Sequence, residues 1–109
     1  MLPAMLPKKK HRITRVRCQG HLAWVRKHRC CVPNCLGDVI QAAHVRSSRD
    51  AGIGQKPGDQ WTISLCLWHH AQQGGEGEPA FQKRHGIDMI ALAKEFAAKS
   101  PYRDKLRGD

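Results

Sequence analysis

The chain has 109 residues, and its 19 Lys and Arg side chains outnumber its 9 Asp and Glu side chains, which gives a formal net charge of +10. This length predicts one domain and excludes a TIM barrel or a complete dinucleotide-binding fold. No apolar run approaches the roughly 20 residues that cross a bilayer, and the N-terminal residues do not form a secretory signal. We therefore expect an intracellular, cytoplasmic protein that does not enter a membrane.

The positive charge is concentrated near the N-terminus, because no Asp or Glu occurs before Asp38. Surfaces of this kind most often bind a polyanion, so we expect nucleic-acid phosphate as the partner. The alternative is a solvated tail that binds nothing. The candidate phosphate-binding residues of this segment are Lys8, Lys9, Lys10, Arg12, Arg15 and Arg17.

The first half of the chain predicts an arm, a helix and a strand. Residues 1–17 hold a basic cluster without periodic apolar residues, which predicts a flexible basic arm. Helical spacing of apolar residues predicts a short helix over residues 21–27. The turn RCCVPNCLGD follows, and DVIQAAHV predicts a strand that ends near His44.

The second half predicts another strand and three helices. In WTISLC the apolar side chains alternate with period two, which is typical of a strand. The helices are predicted over residues 68–73, residues 78 or 79 to 85, and residues 88–99. Glycines end the first two helices, and Asp88 is the expected N-cap of the last. Residues 101–109 are predicted to be a frayed tail, so the folded domain is expected to span residues 18–100.

The cysteines have the spacing of zinc ligands. An odd number of Cys and nearby His residues argue against the alternative of a disulfide framework. Structural Zn²⁺ takes four tetrahedral ligands, commonly as two short-spaced pairs, and Cys30-x4-Cys35 and Cys66-x2-His69 are two such pairs. Cys31 is spaced almost as well and is the alternative to Cys30. Zinc binding would supply on the order of 10 kcal/mol to a domain with a small apolar core.

Two further histidines suggest phosphodiester chemistry. His44 ends the first predicted strand and His70 lies in the helix after the second, so the two would face each other across a ββα unit. Hydrolysis of a phosphodiester needs a base that activates water and a cation that stabilises charge on the phosphate. His44 could be the base, and His70 with a carboxylate could hold the cation. The alternative is that both are ordinary surface histidines.

The pattern CCVPNC…AAHVRSS…GQKPGDQWTISLCLWHH…GEPAFQKRHGID resembles the HNH (ββα-metal) endonucleases, and most closely the phage- and prophage-associated branch related to the recombination enhancement function nuclease. The resemblance covers roughly residues 21–88. It implies an α+β fold, a small zinc-stabilised ββα-metal domain with flanking helices and a basic N-terminal arm. It also implies a DNA endonuclease or nickase that uses a divalent cation (Mg²⁺, Mn²⁺ or Zn²⁺) and a recombination or replication protein as partner.

The resemblance also implies roles for single residues. His44 matches the histidine that deprotonates the attacking water, and His70 matches a ligand of the catalytic metal. Asp59 falls near the position that orients the loop or the base, and it is the expected second ligand of that metal. The remaining matches are His85 and Glu78 close to the site, and Arg46 and Lys56 as phosphate contacts.

One position departs from the family pattern. Many HNH enzymes carry Asp or His immediately before the first motif histidine, whereas this chain has Ala43. Either Asp59 or His85 then completes the metal site, or the metal binds weakly. The alternatives to a nuclease are therefore a non-catalytic zinc module that binds nucleic acid and a zinc module that binds proteins.

Overall fold

The computed structural model describes residues 15–47 and 56–107, which form an α+β fold. In this part of the chain four α-helices surround a two-stranded antiparallel sheet. The elements in chain order are α1 (Gln19–Val25), β1 (Ile40–His44), β2 (Thr62–Cys66), α2 (Leu67–Glu76), α3 (Glu78–His85), α4 (Met89–Lys99) and a 3-10 turn at Lys105–Arg107. None of the described helices is long and apolar enough to cross a membrane.

The two strands and α2 follow one another directly in a ββα order. The register pairs Ile40 with Cys66 and His44 with Thr62, so β1 ends beside the start of β2. Successive strand residues face opposite sides of a sheet. Ala43 is accordingly fully buried in the core, whereas its neighbour His44 is only partly buried. The core lies where the sheet meets α3 and α4, and its largest members are Phe81, Ile63, Leu65 and Met89.

The strand β2 lacks the one-sided burial that its period-two pattern predicts, because all five of its residues are buried. Ile63 and Leu65 belong to the apolar core. The alternating polar residues Thr62 and Ser64 are buried as well, and their hydroxyl groups donate to backbone carbonyls. Ser64 Oγ donates to Arg29 O at 2.5 Å, and Thr62 Oγ1 donates to Asp59 O at 2.9 Å. Both faces of β2 are therefore covered, although the described part of the sheet has only two strands.

The helices match the predictions except at three ends. The helices α3 and α4 lie where they were predicted, and Asp88 caps α4 by accepting a hydrogen bond from Ala91 N at 3.0 Å. The helix α1 begins and ends two residues before its predicted bounds. The helix α2 does not stop at Gly74 and Gly75 but continues to Glu76. Each glycine inside a helix costs about 1 kcal/mol relative to Ala, and the last residue of α2, Glu76, accepts a hydrogen bond from Arg84 Nε at 2.9 Å.

At both ends of the predicted domain the described residues are packed further along the chain than expected. At the N-terminal side Val16 O accepts a hydrogen bond from Asp59 N at 2.9 Å, so residues 15–17 belong to the folded domain. At the C-terminal side Leu106 is buried, and the Tyr102 ring lies so close to Gly20 that a Cβ there would be 2.4 Å from it. Residues 101–107 are therefore not frayed. Residues 1–14 of the predicted arm lie outside the described residues.

Candidate metal centre and adjoining cleft

Four side chains from three elements converge on one point. Cys30 and Cys35 lie at the two ends of a turn, Cys66 ends β2, and His69 lies in the first turn of α2. Their ligand atoms all lie within 4.8 Å of one another. The Cys35 and Cys66 sulfur atoms are 3.8 Å apart, and His69 Nδ1 lies 3.5 Å from Cys30 Sγ and 3.3 Å from Cys66 Sγ.

These distances fit a tetrahedral zinc ion. With Zn–S bonds of about 2.3 Å and Zn–N bonds of about 2.0–2.1 Å, a tetrahedron has S···S edges of about 3.8 Å and S···N edges of about 3.5 Å. Three thiolates and one imidazole are also a usual ligand set of structural zinc. Burial raises the pKa of the Cys30 thiol to about 11, so a bound cation is what would hold this sulfur as a thiolate. The cluster could therefore hold a structural metal ion such as zinc.

The local sequence explains how the ligands come together. Asn34 has a φ of +65°, a left-handed conformation that closes the turn between Cys30 and Cys35. Gly37 passes against the cluster, where a Cβ would lie 2.7 Å from Cys66 Cβ. Its N–H donates to Cys35 Sγ at 3.4 Å, and His69 N donates to Cys66 Sγ at 3.4 Å. A larger residue at position 37 would push the loop away from the metal ligands.

The geometry places Cys30, and not Cys31, in the cluster with Cys35, Cys66 and His69. Cys31 is outside the cluster: its N–H donates to Ser64 O at 2.8 Å, and its sulfur lies 3.5 Å from Ser64 Oγ. Consecutive residues point in different directions, so only one of two adjacent cysteines faces the metal. Cys31 instead contributes to packing between β2 and the neighbouring helices.

Next to the metal centre lies an open cleft of about 480 Å³. Its walls come from the end of β1, the loop before β2, the helix α2 and the start of α3. Two imidazoles and two cationic side chains share it with polar and small residues. The lining residues are His44, Arg46, Ser47, Lys56, His70, Gln73, Gly74, Gly77, Glu78 and Pro79. The predicted pair His44 and His70 thus lines a single cleft.

His44 is held with one nitrogen buried against a carboxylate. Its Nε2 lies 2.8 Å from Asp59 Oδ1. A carboxylate only accepts hydrogen bonds, so Nε2 carries the proton in the neutral ring and Nδ1 keeps its lone pair. Burial lowers the pKa of His44, although the hydrogen bond to Asp59 opposes this effect. The neutral form, which a general base requires, therefore predominates at neutral pH.

Asp59 lies against His44, and it is not among the residues that line the cleft, where the second metal site was predicted. Its carboxylate is 1% exposed. Oδ2 accepts from Cys18 N at 2.8 Å, while Oδ1 binds His44 and also lies 3.4 Å from Arg17 Nη1. The same Arg17 nitrogen donates to Pro57 O at 2.7 Å. Arg17 is thus engaged in holding this loop, and its assignment to the mobile arm is wrong.

His70 is held in the opposite way. Its Nδ1 lies 2.6 Å from Gln41 Oε1 on the neighbouring strand β1. Because an amide oxygen accepts, Nδ1 carries the proton and Nε2 keeps its lone pair. A ring nitrogen of this kind is a good ligand for a divalent transition metal, and a hydrogen bond to the other nitrogen fixes its tautomer. Burial, together with the nearby His44 and Arg46, lowers the pKa of His70.

The structure does not bring His85 together with His44 and His70, because His85 is not among the residues that line the cleft. Its ring packs edge to face against the metal-centre residue His69 at 5.0 Å and against Phe81 at 4.6 Å. Its Nε2 lies 2.6 Å from Gln72 Oε1. The helix α3 thus presents His85 to the zinc side of α2 and Glu78 to the cleft side.

Glu78, which was predicted close to the site, and Gln73, which sequence reasoning missed, together hold the end of β1. Glu78 is buried, and its carboxylate accepts from the backbone N–H groups of Arg46 at 2.6 Å and Ser47 at 2.8 Å. Gln73 Nε2 donates both to Glu78 at 2.7 Å and to the carbonyl of His44 at 3.0 Å. The backbone on both sides of His44 is therefore tied to α2 and α3. Both oxygens of Glu78 are occupied by this network.

No protein-family model, curated protein or solved structure matches this chain.

Proposed function

We propose that this protein is a zinc-stabilised, metal-dependent DNA endonuclease or nickase of the HNH type. The observation that carries the proposal is the pair His44 and His70 in one cationic cleft, each with a different ring nitrogen left available. The ββα order of β1, β2 and α2 and the Cys3His cluster beside them support the same assignment. The sequence resemblance adds a reason to expect DNA as the substrate.

His44 acts as the general base in this proposal. Its Nδ1 takes a proton from a water molecule while Nε2 donates to Asp59, so the developing imidazolium is stabilised by a buried carboxylate. The water oxygen attacks the phosphorus atom, and the bond from phosphorus to the leaving oxygen breaks. The network of Gln73 and Glu78 fixes the backbone of His44, which limits the movement of the base.

His70 is the residue that would hold the catalytic cation. Such a cation, when bound, stabilises negative charge that develops on the phosphate oxygens. With His44 Nδ1 assigned to the attacking water, His70 Nε2 is the ring nitrogen of the described cleft that is left for a cation, and the carboxylates of Asp59 and Glu78 are engaged in internal hydrogen bonds. Water and the substrate phosphate would then supply the other ligands, so cation binding is expected to be weak without DNA.

The exposed cations of the cleft bind the DNA backbone in this proposal. Arg46 and Lys56 line the cleft from two sides, and both are exposed. Lys and Arg contacts to phosphate give affinity without base specificity. The substrate is therefore DNA contacted mainly through its phosphates, and Lys8, Lys9, Lys10 and Arg12 of the N-terminal segment are further candidate phosphate contacts.

A non-catalytic module that binds nucleic acid is the second candidate, and Ala43 favours it. Ala43 points into the core and is fully buried, so nothing at this position reaches the cleft. Asp59 and His85, the two residues expected to replace a missing ligand, do not line the cleft either. In this candidate the chain keeps its zinc site and its cationic surface but lacks enough ligands for a catalytic cation beside His70.

Conversion of supercoiled plasmid to nicked circles separates the two candidates. The zinc-loaded protein is assayed with and without added Mg²⁺ or Mn²⁺, beside His70→Ala and the matched control His85→Ala, each checked for one zinc per chain. The nuclease predicts nicking that needs the added cation, is lost in His70→Ala and persists in His85→Ala. DNA retention at low salt without nicking by the wild type supports the binding module instead, and absence of both activities contradicts each candidate.

A further inference from the structure

The exposed apolar side chains of the described residues are concentrated beside the metal centre. The large hydrophobic residues with high exposure are Leu36 at 86%, Val39 at 56%, Leu67 at 55% and Trp68 at 75%. Val39, Leu67 and Trp68 line one shallow groove with Gly37, Asp38, Cys66 and Ala71, and Leu36 precedes that groove in the same loop. We call this surface the apolar patch. It is separate from the cleft that contains His44 and His70.

The backbone of the apolar patch is held by hydrogen bonds and by the residues of the metal centre. Leu67 N donates to Val39 O at 2.8 Å, which joins the two parts of the patch. Leu36 follows the metal-centre residue Cys35, while Leu67 and Trp68 lie between Cys66 and His69. A metal bound by these ligands would fix both segments at once. The patch residues are adjacent in sequence to the cluster residues, so the fold of the cluster places them at the surface. No other described residue covers their side chains.

The charges around the apolar patch argue against nucleic acid as its partner. None of the Lys and Arg residues in the described part of the chain lines this groove, and Asp38 is the one charged residue among those that do. A surface that binds phosphate needs cations, which this protein places elsewhere. Two copies of a chain with a net charge of +10 can therefore approach through this patch without bringing described cations face to face.

The size of the patch fits self-association. A Trp side chain covers about 150–250 Å² and the aliphatic residues somewhat less, so the four exposed side chains present on the order of 400–500 Å². That is within the roughly 300–600 Å² of the largest apolar patch on a typical monomer, and such patches are often functional. With a polar rim it approaches the roughly 800 Å² per partner of a standard specific interface. Symmetric dimers, in which one patch meets its own copy, are the most common oligomers.

We propose that the apolar patch is a homodimer interface, in which Trp68 and Leu67 of one copy pack against the same patch of a second copy. The interface buries the start of α2 and the loop 36–39 and leaves both cationic clefts open. This proposal rests on the patch alone and does not depend on the proposed nuclease activity.

Analytical ultracentrifugation of the zinc-loaded full-length chain tests the proposal over about 1–300 µM at moderate salt. The variant Trp68→Arg places a cation at the centre of the interface in both copies. Ala98→Arg is the matched control, because it adds the same charge at an exposed position of α4 outside the patch. Zinc content and circular dichroism establish that all three proteins are folded.

The wild type and Ala98→Arg are expected to sediment as dimers at the upper concentrations, whereas Trp68→Arg remains a monomer, with a dissociation constant at least tenfold weaker. A wild type that stays monomeric over the whole range overturns the proposal and leaves the patch to a different protein. A folded Trp68→Arg variant that dimerises as well as the control overturns it too, because association would then use another surface.

Discussion

His70 Nδ1 and Gln41 Oε1 lie 2.6 Å apart, and this contact joins α2 to β1 across the floor of the ββα unit. It fixes both the rotation and the tautomer of the imidazole. The ring nitrogen that remains, Nε2, is the one available to a cation in the cleft. Gln41, for which the sequence predicted no role, therefore determines which nitrogen of His70 is available to bind a cation.

Replacing Gln41 by Leu removes that hydrogen bond while keeping the side-chain volume. Loss of a partner that orients a metal-binding histidine typically costs about 10–100-fold in metal affinity or activity. We expect plasmid nicking by Gln41→Leu to need at least about tenfold more Mn²⁺ for half-maximal rate. The control is Gln72→Leu, which removes the equivalent contact to His85 outside the cleft. Identical Mn²⁺ dependence in both variants would contradict the role given to Gln41.

Cys66 and Cys31 should respond very differently to replacement by Ser. Cys66 belongs to the cluster, and structural zinc contributes on the order of 10 kcal/mol, as much as the whole stability of a small domain. We expect Cys66→Ser to lose both zinc and the folded circular dichroism spectrum. Cys31→Ser should keep one zinc per chain and lose about 1 kcal/mol. A zinc-free but folded Cys66→Ser protein would show that the cluster is not a structural metal site.

Asp59→Asn tests whether the carboxylate sets the tautomer of His44. An amide can present its NH₂ group to Nε2, which would move the ring proton to Nδ1 and remove the lone pair that accepts a proton from water. We expect the single-turnover nicking rate to fall about 10- to 100-fold, while DNA affinity measured by fluorescence anisotropy changes less than about twofold. An unchanged rate would mean that His44 does not depend on Asp59.

The N-terminal cations should control the salt dependence of DNA binding. Deletion of residues 1–14 removes Lys8, Lys9, Lys10 and Arg12 but leaves residues 15–17, which pack on the loop 56–59. Each phosphate contact contributes about 0.9 to the slope of log affinity against log salt. The slope should therefore decrease by up to about 3.6 for the four cations, with nicking retained at low salt. A slope that the deletion leaves unchanged would show that this segment is a solvated tail.

His21 predicts a loss of stability on acidification. It is fully buried with Nδ1 2.9 Å from Ser100 Oγ, and burial lowers its pKa. The unfolded chain then binds a proton below about pH 6.5 that the folded chain does not, so stability decreases as the pH falls through that range, by at most about 1.4 kcal/mol per pH unit for this group. Urea unfolding of the zinc-loaded wild type and His21→Gln between pH 7.5 and 6 measures the difference. Equal pH slopes would exclude His21 as the source.

Much of the candidate metal centre was predictable because residues a few positions apart in the sequence stay close together in the folded chain. The pairs Cys30–Cys35 and Cys66–His69 lie close in space for that reason. Cys30 and Cys31 have almost the same spacing to Cys35, so the choice between them depended on the direction of each side chain. That direction follows from the pairing of Cys31 with Ser64, a residue 33 positions away.

The parts that the sequence did not predict depend on distant contacts of ordinary residues. Gln73 and Glu78 act as a pair only because α2 and α3 bring them to the end of β1. From the sequence alone, Asp59 could be either a metal ligand or a group that orients His44. Its burial, which favours the second role, depends on contacts that the sequence does not show. The C-terminal residues 101–107 carry too few apolar side chains to predict packing, yet Leu106 finds a buried position.

The most direct test of the central proposal is the single-turnover nicking rate of His44→Ala relative to the wild type at saturating Mn²⁺. Both proteins must hold one zinc and give the same circular dichroism spectrum. Removal of a general base costs about 10²–10⁴ in rate, so we expect at least a 100-fold loss, which added imidazole partly reverses. A folded His44→Ala protein that nicks DNA within twofold of the wild-type rate would contradict the account.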